Sequence, residues 1–103
     1  MRTFVEYQLA AWKTALPTAK NTNYMGLKLA SEAGEIAGKL GKQIRGDFVT
    51  TEAIAAEIGD VLWYCAGLAS VLGLSLEQIA LDNIAKLQNR QKDGKLQGDG
   101  DSR

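Results

Sequence analysis

The chain has 103 residues, 46% of them hydrophobic and 23% charged, enough for one domain with a modest core. Twelve basic residues balance twelve acidic ones, so there is no electrostatic footprint of a nucleic-acid binder and no polybasic membrane anchor. Histidine is absent, which excludes Ser-His-Asp triads, Cys-His dyads and nearly all zinc sites. Acid–base chemistry would have to fall to carboxylates, lysine, tyrosine or a metal site.

A single proline and little β-branched alternation predict an all-α chain of four helices. Thr3 opens the first, and Glu6 three residues on completes a capping box. Phe4, Val5, Leu9, Trp12 and Leu16 occupy one broad side of this helix, with Gln8 at its centre as a candidate to read a base edge. Residues 17–23 are a polar connection rich in turn formers. The second helix is expected over about 24–44, ended by Arg45 to Asp47. Thr50 or Thr51 caps a third that reaches Leu72, with Gly73 as its stop. Ser75 and Gln78 form another capping box and start the fourth helix, which runs to about Gln91. Residues 1–92 then make one domain, and 93–103 read as a flexible, polar, glycine-rich tail.

The N-terminus lacks the long apolar core of a secretion signal. The uncharged run from Val61 to Leu76 is short and glycine-interrupted for a membrane span. Cys65 lies in that run and reads as a small buried hydrophobe. A cytoplasmic setting without membrane or nucleic-acid partners is the expectation. Between Val61 and Leu72 the third helix is apolar almost all round, and such helices are buried on every side. Four short helices can hardly enclose one, so the bundle is expected to complete itself by homo-oligomerisation, with the third helix central to the interface. Glycines 34, 38, 59 and 67 are expected to allow close helix packing.

Two acidic pairs stand inside otherwise apolar helix: Glu32 with Glu35, and Glu57 with Asp60. At about 100° per residue each pair spans about 60° and one turn. Glu32 borders the stripe of Leu29, Ile36 and Leu40, with Lys28 and Lys39 nearby. Glu57, Asp60 and Tyr64 share a face flanked by Val61, Leu68 and Val71. A short connection makes helices two and three an antiparallel hairpin in which the pairs converge. Crowded carboxylates take up protons or attract a cation, and an all-oxygen set suits a hard divalent ion such as Mg²⁺. A single E-x-x-E is more often a solvated face or a partner for neighbouring lysines; two such pairs on consecutive helices favour metal. On the fourth helix Asn83, Lys86 and Arg90 share one face and suggest a phosphate clamp.

Glu-x-x-Glu, 21 intervening residues, then Glu-x-x-Asp resembles the signature of the MazG-type all-α nucleoside triphosphate pyrophosphohydrolases. The likeness covers residues from about 24 to 92. It implies that Glu32, Glu35, Glu57 and Asp60 bind metal, with Glu32 or Glu35 orienting or deprotonating the attacking water. It further implies that Lys28, Asn83, Lys86 and Arg90 bind substrate, with Tyr64 a weaker match. Family members depend on Mg²⁺, release pyrophosphate from (deoxy)nucleoside triphosphates, and assemble as dimers or tetramers; Mn²⁺ is the expected substitute ion. Many sanitise nucleotide pools. A ferritin-like di-iron bundle is set aside because it needs histidine. A non-catalytic helical oligomerisation or interaction module is the alternative.

Overall fold

The computed structural model describes residues 3–94, which form four α-helices and one short 3₁₀ turn. Among these residues there is no strand. The helices are α1 (Phe4–Thr14), α2 (Thr22–Ile44), α3 (Thr51–Val71) and α4 (Leu76–Lys92), with the 3₁₀ turn at Pro17–Ala19. Residues 95–103 of the expected tail lie outside the described residues.

Local hydrogen bonds set the boundaries. The Thr3 hydroxyl accepts from the Glu6 N–H, Thr50 from Ala53, and Ser75 from Gln78, at 3.1, 3.1 and 3.2 Å. Helix α2 starts two residues earlier than its apolar pattern implies because Asn21 Oδ1 accepts from the Tyr24 N–H at 2.7 Å. At the end of α3, Gly73 takes φ +72°. The Gly73 and Leu74 N–H groups then donate back to Ser70 and Ala69 carbonyls, a Schellman turn that leads the chain into α4.

Helix α3 is the hub, with α2 packed along it most extensively, α1 next, and α4 against both α1 and α3. Met25 meeting Gly67 near one end of the pair, and Lys39 meeting Glu57 near the other, define α2 and α3 as antiparallel. A Cβ on Gly67 would lie 2.6 Å from Met25 Sδ, so this glycine permits the helix approach. Glycines 34, 38 and 59, expected to do the same, would meet nothing within 4 Å. They are exposed, on faces of the hairpin that no other described residue covers.

The enclosed core is small: Ala11, Ala19, Met25, Ala66, Ala69 and Leu76 are its buried apolar residues, and Met25 is the largest fully buried side chain. Helix α3 is only half covered along most of its length, and Ile58 on it is 55% exposed. The radius of gyration, 16.1 Å, exceeds the roughly 13 Å of a compact chain of this size. By length and composition alone α3 could cross a membrane. It carries Glu57 and Asp60, however, and each acid near a bilayer centre costs about 3 kcal/mol.

Gln8 proves to be a structural residue rather than a reader of bases. Its Nε2 donates to Ser70 Oγ (3.0 Å) and to the Leu74 carbonyl (2.9 Å). Its Oε1 accepts from the Leu76 N–H at 2.8 Å. Both ends of the amide are thus spent on fastening α1 to the α3–α4 turn.

Candidate metal centre

The antiparallel hairpin brings Glu32 of α2 against Glu57 and Asp60 of α3. One carboxylate oxygen from each lies within 4.8 Å of the other two. Glu32 and Glu57 are half-buried and Asp60 is exposed. Partial burial pushes the Glu32 carboxyl above the ordinary glutamate range. A hydrogen bond to Glu57 and the charges of Asp60 and Glu57 push it further, while Lys28 opposes them. Lys39 reaches across from α2, its Nζ 3.1 Å from Glu57 Oε1.

Three crowded carboxylates with no softer donor among them fit a hard divalent ion. Glu35 is not part of this group. It is exposed, and its place about 60° further round α2 than Glu32 takes it off the face that meets α3. The sequence thus pointed to four converging acids where the single chain gathers three.

A cleft of about 350 Å³ opens on the cluster, lined by Glu32, Asp60, Trp63 and Tyr64. Trp63 and Tyr64 pack edge to face with ring centres 4.9 Å apart, and Tyr24 lies tilted against Tyr64 at 6.4 Å. Burial raises the Tyr64 phenol pKa, followed by Tyr24 and then by Glu32 and Asp60. Tyr64 therefore enters the site as a neutral hydrogen-bonding group. Trp63 is fixed from behind: its Nε1–H donates to Thr14 Oγ1 at 2.9 Å, and that hydroxyl donates to the Ala11 carbonyl at 2.7 Å. The signal in the sequence that points to Trp63 is its position about one turn after Asp60 on the same helix. Trp12 instead carries Lys20 over its ring at 4.5 Å and lines a separate groove with Val5 and Leu9.

Lys28 is half-buried and close enough for its charge to act on Glu32. The basic stripe of α4 is placed differently. Asn83 and Lys86 line a cleft of about 310 Å³ with Ile79 and Asp82, which shares no lining residue with the acidic one. Arg90 is 5% exposed. Among the described residues, none from α4 lines the cleft over the acid cluster.

A hairpin of long helices with acids clustered at its seam and an aromatic cleft above them defines a class of all-α, acid-lined proteins. The profile of the MazG nucleotide pyrophosphohydrolase domain matches residues 20–94. This chain belongs to that family. It is 39% identical to the Gene 37 protein of Mycobacterium phage L5, over 94% of this chain and 96% of the relative. No solved structure matches it.

Proposed function

We propose that the protein is a Mg²⁺-dependent pyrophosphohydrolase that converts (deoxy)nucleoside triphosphates to monophosphate and pyrophosphate. The observation that supports this most is the trio Glu32, Glu57 and Asp60, which falls within the family match and borders a cleft large enough to admit part of a ligand. When bound, Mg²⁺, or Mn²⁺ in its place, offsets phosphate charge and makes an attacking water more acidic. Glu32, Glu57 and Asp60 hold the ion. Glu35, solvent-facing one turn beyond Glu32, serves with Glu32 to orient the water or take its proton. Lys28 steadies the phosphate chain from the Glu32 side, and Tyr64 supplies a neutral donor.

The same reading includes a homo-oligomer, dimer or tetramer, because the small core and half-covered α3 leave apolar surface that a second copy can bury. Association also gives Asn83, Lys86 and Arg90 a route to the triphosphate, since none of them lines the acidic cleft of its own chain. Cytoplasmic nucleotide-pool sanitation is the proposed setting. The Lys39–Glu57 ion pair favours a second reading, a non-catalytic interaction module whose acids are structural.

Product analysis separates the two. The purified chain is incubated with the common NTPs and dNTPs, with Mg²⁺ or with chelator, and the products are resolved by ion exchange. Monophosphate plus pyrophosphate only with metal is expected. Diphosphate plus phosphate would place the cleavage elsewhere on the chain. No turnover, together with no metal binding, would favour the interaction module.

A further inference from the structure

We propose that Lys39 is a built-in counter-cation of the acid cluster, an ammonium group that competes with the divalent ion for the field of Glu57. The inference rests on the metal-binding reading above and adds a residue that tunes it.

Three observations carry the inference. Lys39 lies two turns after Glu32, about 20° away around α2, so both belong to the stripe that faces α3. Its Nζ is 3.1 Å from Glu57 Oε1, and Glu57 is one of the three carboxylates of the cluster. The paired side chains are only 25% and 17% exposed, so solvent screens them less than an ordinary surface pair. The contrast is Arg45–Asp47, a local pair at 3.9 Å with both side chains more than 60% exposed.

The consequence follows from charge. Without metal, the cluster places three acids at one seam, and Lys39 directly offsets one of them. A divalent ion held by the same carboxylate is a like charge for Lys39, so the two occupancies oppose each other. Lys39 thereby stabilises the metal-free fold and weakens metal binding. A group that merely orients Glu57 would do the opposite, because its loss would loosen a ligand.

The test uses the full chain and the metal alone. Mg²⁺ binding is measured by calorimetry, and the unfolding midpoint is measured with and without Mg²⁺, for wild type, Lys39→Met and Lys39→Arg. Lys39→Met, which keeps the aliphatic stem, is expected to bind Mg²⁺ about tenfold tighter. It should also melt lower without metal and gain a larger shift on adding it, while Lys39→Arg stays near wild type. Should Lys39→Met fail to fold without metal, Lys39→Gln is carried through the same measurements with the same expectation. Weaker binding in the uncharged variants would make Lys39 a positioning residue and overturn the proposal. Unchanged affinity would overturn it too, leaving the metal site intact. Absence of binding in wild type and variants alike would remove both the metal reading and the inference.

Discussion

Glu32 loses solvent at the seam, hydrogen-bonds with Glu57 and feels the charges of Asp60 and Glu57, all of which raise its carboxyl pKa. A carboxyl with a higher pKa folded than unfolded binds its proton more readily in the native state, so stability falls as pH rises through that window. In chelator, the urea midpoint of the wild type should therefore drop from the ordinary glutamate range up through the raised value. Glu32→Gln should lack that part of the slope, and a wild-type midpoint that rises relative to it would contradict the assignment. Asp60→Asn removes one charge from the same cluster. It is expected to cut Mg²⁺-dependent hydrolysis at least about 100-fold. Its helical circular dichroism should be retained, and the metal-free fold should become slightly more stable as repulsion is relieved. Undiminished turnover would place the reaction elsewhere.

At the scale of elements, helix α1 does more than add length. Gln8 clamps the turn between α3 and α4 with three hydrogen bonds, and Thr14 holds Trp63 at the wall of the acidic cleft. Gln8→Leu leaves the Leu76 N–H and the Leu74 carbonyl without that partner, at a cost of about 1–3 kcal/mol. Urea unfolding should register the loss as a lower midpoint at unchanged slope. If the variant instead kept full stability but changed its preference among bases, Gln8 would return to the role its position on α1 suggested. The family match begins after α1, at residue 20, so Gln8 and Thr14 lie outside the matched segment while the groups they hold lie within it.

The whole molecule has an apolar surface too large for its core. Leu27, Ile44 and Phe48 are 74%, 86% and 91% exposed, and α3 is half covered. Burying such side chains is worth about 1.5–3 kcal/mol each, which association between copies can supply. Sedimentation equilibrium at micromolar concentration should give a mass that is a multiple of 11.1 kDa, a dimer or tetramer. A monodisperse monomer at that concentration would remove the oligomer, and with it the proposed route of Lys86 to a triphosphate.

Much of this was legible residue by residue. Thr3, Thr50, Ser75 and Gly73 mark helix ends through hydrogen bonds that close within a few positions, so the four helices follow from sequence alone. The spacing of Glu32, Glu57 and Asp60 likewise sets three acids on faces that meet once two helices pair, because helical period is a local property. The MazG membership of the chain was readable from the same motif. Other features depend on how helices lie against one another. Glu35 falls off the shared face, Lys39 finds Glu57 across the hairpin, Gln8 turns from a candidate base reader into a clamp, and of glycines 34, 38, 59 and 67 only Gly67 meets a neighbour. Helix period gives the direction of a side chain to within a few tens of degrees, whereas ion pairs and ligand sets depend on separations of about 3–5 Å that tertiary packing alone decides.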